Sequence, residues 1–266
     1  MSAPPSARLA AIVMLLASGC GLQRAVLFPA PIERRTPAAR GATLVTLSSP
    51  TGDVVALHVA APPGQPTIAY LHGNGQDLAG IAPLVAKLRE EGFGVYAIEY
   101  PGYGIAGGEP TERSVFEAAA RALSHLNGAL GVPPADVVLM GQSLGTGVAV
   151  EMAARGYGAR LVLVSPYTSI DALAHHFTGL PAAWLVDDHF DSAAKAPRVS
   201  LPVLVVAGTD DTLVPAWMSA ELAERFPDAA ILWIRGAHHN DLFVRAGRDL
   251  IRTIGAFARL ERRQVQ

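Results

Sequence analysis

Three stretches of this chain, Val137-Val-Leu-Met140, Leu161-Val-Leu-Val164 and Val203-Leu-Val-Val-Ala207, are apolar at every position. A strand with one wet face alternates between apolar and polar side chains. A strand without that alternation is covered on both faces, which requires a mostly parallel sheet lying between helix layers. Parallel neighbours are joined by right-handed crossovers, so their carboxyl ends gather on one edge. Open α/β sheets build their sites along that edge.

The text around these stretches fits an α/β chain. Thr43–Leu47 and Val54–Ala60 flank the turn Pro50-Thr-Gly-Asp53 and read as an antiparallel pair. Thr67–Leu71, Gly94–Glu99 and Ala230–Ile234 read as further strands. Helical spacing of apolar residues is expected over 78–91, 111–126, 143–155, 215–226 and 242–259, with Thr111 as the cap before Glu112. With 266 residues, half of them apolar, the chain can bury a large core as one domain. Net charge is −2 and the basic residues are scattered, which excludes the basic footprint of a nucleic-acid binder.

The first twenty residues read differently. Arg8 precedes the apolar run Leu9–Ala17, then Ser18-Gly19-Cys20. A positive start, a short apolar centre and small residues define an export signal. The run is too short for a bilayer, which needs about 20 apolar residues. Ala17-Ser18-Gly19-Cys20 resembles a bacterial lipoprotein lipobox, with Ala17 where that family usually carries Leu. The resemblance implies acylation of Cys20, the single cysteine, and a membrane-anchored, exported protein; plain secretion is the alternative. Residues 1–20 are thus expected to be a signal peptide. Residues 21–41, with Pro29, Pro31 and Pro37, are expected to be a tether, and 42–266 the folded domain.

Chemistry concentrates at the strand ends. Gly141-Gln142-Ser143-Leu144-Gly145 joins an apolar strand to a helical pattern, the context in which G-x-S-x-G forms a sharp turn with an exposed serine hydroxyl. The start of the helix favours negative charge there. Leu71-His72-Gly73-Asn74-Gly75 ends an earlier strand. The backbone N–H groups of Asn74 and Leu144 are the expected donors to a developing oxyanion, and His72 is expected to brace the loop. A serine hydroxyl needs a histidine base, and that histidine needs a carboxylate. Gly208-Thr-Asp-Asp-Thr-Leu-Val-Pro215 offers Asp210 and Asp211, with Asp211 preferred. Arg235-Gly-Ala-His-His-Asn-Asp241 offers His238 and His239, with His239 preferred. No third ligand accompanies the His-His pair at metal-site spacing.

These blocks, together with Glu99-Tyr-Pro-Gly-Tyr-Gly104, Ser165-Pro-Tyr-Thr-Ser169 and Phe190-Asp-Ser192, resemble the α/β-hydrolase family over roughly residues 40–260. More narrowly they resemble its short-lid branch, serine aminopeptidase-like or acyl-protein-thioesterase-like. Pro101 stands where relatives often have Arg. The branch places its acid three residues before Val-Pro, matching Asp211, and its base before Asn-Asp, matching His239. The resemblance implies an α/β-hydrolase fold with a short helical cap at about 166–200, whose aromatic residues either wall an acyl pocket or simply pack on the sheet. It implies a serine hydrolase that cleaves a carboxylic ester or thioester of a small-molecule or acyl-group substrate, without metal or organic cofactor. Peptide-bond hydrolysis is the first rival, with Asp77, Glu99 and Glu109 as candidate holders of a substrate amine. A catalytically silent, membrane-tethered binding module is the second.

Overall fold

A computed structural model describes residues 27–31, 35–37, 39, 41–48, 52–181 and 186–260. The expected signal peptide and Cys20 lie outside the described residues. Eight strands form one sheet: β1 (Thr43–Leu47), β2 (Val54–Val59), β3 (Thr67–Leu71), β4 (Gly94–Glu99), β5 (Val137–Gln142), β6 (Arg160–Val164), β7 (Val203–Gly208) and β8 (Ala229–Ile234). Their order across the sheet is β1-β2-β4-β3-β5-β6-β7-β8. β1 and β2 pair antiparallel, as do β2 and β4, and every later pairing is parallel.

The unbroken apolar strands do face two cores. Val137, Leu139, Leu161, Leu163, Val203 and Val205 look to one side. Val138, Met140, Val162, Val164, Leu204 and Val206 look to the other. Helices α2 (Glu112–Gly128), α3 (Leu144–Ala154) and α6 (Ala216–Arg225) cover the first face through residues such as Phe116, Val148 and Met218. Helices α1 (Ala82–Glu90) and α8 (Gly247–Ala258) cover the second through Val85, Leu88, Leu250 and Ile254.

Most element boundaries follow the sequence signals. Thr111 caps α2 in a reciprocal box: its Oγ1 accepts from Ser114 N–H at 3.0 Å, and Ser114 Oγ accepts from Thr111 N–H at 2.9 Å. Two expected helices are shorter. The expectation over 78–91 becomes turns followed by α1 at Ala82, because Asp77 Oδ1 takes Gly80 N–H at 2.6 Å and Pro83 suits a first helical turn. Leu78 and Ile81 are buried as the pattern requires, but from the turns. The expected 242–259 helix splits into α7 (Leu242–Arg245) and α8 at Gly247, whose φ of +51° is left-handed.

The cap region contains α4 (Ile170–Thr178) and the short α5 (Ser192–Lys195). Its aromatics Tyr167 and Phe190 are fully buried against α3, close enough that a Cβ on Gly147 would clash with Tyr167. Packing on the sheet layer, rather than lining a pocket, describes these two side chains. The segment expected to be a tether differs from a free one at its middle, where Phe28 is buried in the first core.

Candidate active site

Ser143 occupies the turn between β5 and α3 at φ +49°, ψ −119°. A non-glycine residue there stores about 1–3 kcal/mol of backbone strain. The surroundings hold it in place: Ser143 N–H donates to Val164 O on the neighbouring strand at 2.9 Å, and Thr146 N–H donates to Ser143 O at 2.9 Å. Gly141 and Gly145 permit the turn, because a Cβ on Gly141 would strike the Gly145 carbonyl and one on Gly145 would strike Leu71 O. Gln142, between them, is fixed by Tyr70, whose hydroxyl donates to Gln142 Oε1 at 2.6 Å.

The loops after β7 and β8 deliver their side chains to the same place. His239 Nε2 lies 2.8 Å from Ser143 Oγ, and His239 Nδ1 lies 2.8 Å from Asp211 Oδ2. Asp211 and His239 are 8 % and 6 % exposed, so little water competes for these bonds. Asp211 Oδ1 accepts from the Leu213 and Val214 N–H groups at 2.9 and 2.8 Å. Burial alone would raise the Asp211 carboxyl, but the hydrogen bond and charge of His239, with the two backbone donors, hold it below its ordinary value.

Each locus offered two residues, and one of each pair joins the contacts that lead to Ser143: His239 directly and Asp211 through His239. Asp210 is exposed, and its carboxylate accepts from the Thr209 hydroxyl at 2.8 Å. His238 is exposed, with Nδ1 at 2.7 Å from Asp210 O. In the cap, His175 and His176 are exposed and His175 Nδ1 faces Leu180 O at 2.9 Å.

The loop after β3 packs against the serine turn: a Cβ on Gly73 would stand 3.3 Å from Ser143 Cβ. Gln76 Oε1 accepts Gly73 N–H at 2.8 Å and tightens the loop. Among the described residues, neither Asn74 N–H nor Leu144 N–H, the two donors expected from the sequence, has a hydrogen-bond acceptor. His72 lies under the loop, fully buried. Its Nδ1 is 2.9 Å from Gly73 O, and its Nε2 is 2.9 Å from Glu99 Oε1, near but off the line of a hydrogen bond. Tyr100 hydroxyl donates to His72 O at 2.9 Å, and Tyr103 hydroxyl to Asn74 Oδ1 at 2.8 Å.

The carboxylates considered for a substrate amine are differently engaged. Asp77 and Glu99 are each 1 % exposed, and Glu99 Oε2 accepts Leu78 N–H at 3.0 Å. Among the described residues, no three His, Cys, Asp or Glu side chains cluster as metal ligands would. Sequence reasoning missed Tyr70, Gln76 and Tyr103, although all three stand inside or beside the motifs it used.

Residues 63–194 match the family model described as serine aminopeptidase, S33. That span includes Ser143 and ends before Asp211 and His239. The chain is 36 % identical over 195 residues to an uncharacterised protein of Mycobacterium tuberculosis, covering 72 % of this chain and 69 % of that one. It is 36 % identical over 185 residues to the alpha/beta hydrolase domain-containing protein aho-3 of Caenorhabditis elegans, covering 68 % of this chain and 54 % of that one. It is 33 % identical over 184 residues to the mouse alpha/beta hydrolase domain-containing protein 17C, spanning 57 % of that protein and 68 % of this chain. The alignments therefore span little more than half of those two animal relatives. Among solved structures, an esterase of Pyrococcus furiosus superposes with a TM-score of 0.68 at 18 % identity, covering 86 % of this chain and 96 % of that one. The mouse alpha/beta hydrolase domain-containing protein 10 superposes at 0.63 with 19 % identity, covering 81 % and 98 %. The chain belongs to the α/β-hydrolase superfamily.

Proposed function

We propose that this protein hydrolyses a carboxylic ester or thioester through an acyl-enzyme. The observation that carries the reading is the continuous contact Ser143 Oγ–His239 Nε2–His239 Nδ1–Asp211 Oδ2, with both links at 2.8 Å. In the first step Ser143 Oγ attacks the carbonyl carbon while His239 Nε2 takes the hydroxyl proton. The carbonyl oxygen gains negative charge, which Asn74 N–H and Leu144 N–H stabilise. The tetrahedral adduct expels an alkoxide or thiolate, which receives the proton from His239 and leaves. Water then attacks the acyl-serine, losing its proton to His239, and the acid departs as Ser143 recovers its hydrogen. Asp211 orients the imidazole and stabilises its cationic form without itself taking the proton.

The deciding experiment is turnover of p-nitrophenyl esters of graded chain length, with acyl thioesters and aminoacyl amides alongside. Ester or thioester turnover lost in Ser143→Ala and His239→Ala, with both variants still folded, supports the reading. Preferential amide turnover would replace it with a peptide hydrolase, which the family description also fits; the burial of Asp77 and Glu99 counts against that. Equal labelling of wild type and Ser143→Ala by a fluorophosphonate would point to a silent binding module.

The location belongs to the same proposal and rests on the sequence alone: export and acylation at Cys20, with the domain held at a membrane. Incorporation of labelled palmitate that disappears in Cys20→Ser would support it. Recovery of the whole wild-type protein unacylated would overturn it.

A further inference from the structure

Leu27, ahead of the first strand, stands at the loop after β3 and not beside β1. β1 is an edge strand, separated from β3 by β2 and β4, which at about 4.8 Å per strand is roughly 14 Å. Leu27 nevertheless lies at the end of β3, where its carbonyl accepts the Asn74 side-chain amide at 2.6 Å. The other end of that carboxamide, Oδ1, accepts the Tyr103 hydroxyl at 2.8 Å. Asn74 is thus held at both ends, by a strap on one side and by the loop after β4 on the other.

Phe28 fastens the strap. It is 4 % exposed and meets Phe190 edge-on with ring centroids 6.1 Å apart. Phe190 in turn meets Phe116 of α2 edge-on at 5.2 Å. Ala30 N–H donates to Phe28 O at 2.8 Å, which turns the chain away directly afterwards. The strap continues across the loop, with Pro29 O 3.8 Å from where a Cβ on Gly75 would stand. A seated aromatic ring, a tight turn and a two-sided hold on one carboxamide place the main chain of Leu27 at a fixed point against Asn74.

We infer that Leu27 and Phe28 are positioning residues of the hydrolytic site, acting through the side chain of Asn74 to aim its backbone N–H at the developing oxyanion. The inference rests on the reading of Ser143, His239 and Asp211 as the reacting centre. An amide N–H contributes to catalysis only when preorganised, and losing one such donor costs on the order of 10²–10³ in rate. A loop that keeps the donor but lets it wander loses part of that factor, and loses it in kcat, because the oxyanion forms only on the way to the adduct.

The test uses the full chain, p-nitrophenyl acetate as the probe substrate, and hydrogen exchange of the 71–77 stretch as a readout independent of activity. Phe28→Ala should lower kcat about tenfold or more with KM nearly unchanged, and should speed exchange at 71–77. Phe28→Leu, which refills most of the socket, should restore most of the rate. Tyr103→Phe, which frees the other end of the carboxamide, should show the same pattern and serves if Phe28→Ala does not fold. In an Asn74→Ala background, Phe28→Ala should cost no further kcat, because the route through the carboxamide is already cut. Full kcat in Phe28→Ala, a change in KM alone, additive losses on Asn74→Ala, or unchanged exchange would each overturn the inference. Should the wild type turn over no ester and take no fluorophosphonate, the hydrolytic reading falls separately. Exchange at 71–77 then decides the strap: unchanged rates overturn the hold on Asn74, and faster rates in Phe28→Ala support it.

Discussion

Gly145 leaves no room for a Cβ between itself and the carbonyl oxygen of Leu71. The first turn of α3 and the end of β3 therefore meet backbone to backbone, which packs the serine turn directly on the loop that carries Asn74. Gly145→Ala must push these two segments apart. It should lower kcat by about 10² or more, the scale of losing one oxyanion donor, and lower the melting temperature as an overpacked core does. Steady-state kinetics with a thermal melt by circular dichroism checks both. Wild-type turnover in Gly145→Ala would show that the two loops are not rigidly coupled.

The two adjacent aspartates after β7 make a direct comparison. Asp211 contacts His239 and two backbone N–H groups, whereas Asp210 faces solvent. Asp211→Asn should lower kcat by on the order of 10⁴, since the amide no longer fixes the imidazole tautomer. Asp210→Asn should stay within about twofold of wild type. The pH dependence follows from the sign of the shift. A carboxyl held below its ordinary value stabilises the fold fully above the unfolded value, near pH ~4, and loses that contribution as pH falls through the folded one. The melting difference between wild type and Asp211→Asn should therefore stay level from neutrality down to about pH 4 and shrink below it. Shrinkage already between pH 7 and 5 would contradict the depressed value.

Under the Asn74 loop, His72 and Glu99 are buried together at 0 % and 1 % exposure. Removing one member strands the other and, for Glu99, also leaves Leu78 N–H without its acceptor. Glu99→Ala should destabilise by about 3–5 kcal/mol, the usual result of breaking a buried pair. The double variant Glu99→Leu, His72→Leu should recover part of the loss, because the imidazole is no longer stranded and only Leu78 N–H is left without its acceptor. Urea unfolding gives both numbers; a loss under about 1 kcal/mol for Glu99→Ala would mean the pair is not coupled.

How much of this was legible in the sequence depends on how local each cause is. β5, β6 and β7 were readable because burial on both faces writes an uninterrupted apolar run into the chain. Ser143, Asp211 and His239 were readable because each sits in the loop directly after a recognisable strand, so parallel topology brings them to one edge. The Phe28 contact was not readable, since nothing in a proline-rich, arginine-containing stretch has a period, and its partners Phe116 and Phe190 lie far along the chain. The one available signal was an aromatic residue in a segment that otherwise had no reason to carry one. The helix expected over 242–259 failed at Gly247, because an amphipathic pattern continues across a left-handed glycine that the backbone does not. The cap aromatics left two outcomes open in the sequence, and for Tyr167 and Phe190 their close approach to Gly147 decides for packing.

The cap carries a further histidine–carboxylate contact, whose consequence is stability rather than chemistry. His189 Nδ1 lies 2.9 Å from Asp171 Oδ2 in α4, and His189 N–H donates to Glu112 Oε2 at 2.7 Å, tying the cap to the start of α2. The hydrogen bond to Asp171 raises the His189 pKa; burial opposes it, and the charges of Asp171, Glu112 and Asp188 add to the rise. A raised folded value means that the stabilisation is complete below the unfolded value of about 6.5 and fades as pH climbs through the folded one. His189→Gln should therefore melt below wild type at pH 6, and the gap should narrow between pH 6.5 and 9. His189 is 44 % exposed at the side chain, so solvent screens the pair and the gap should stay under about 1 kcal/mol even at pH 6. A gap that widens with rising pH would mean that His189 is held in its neutral form.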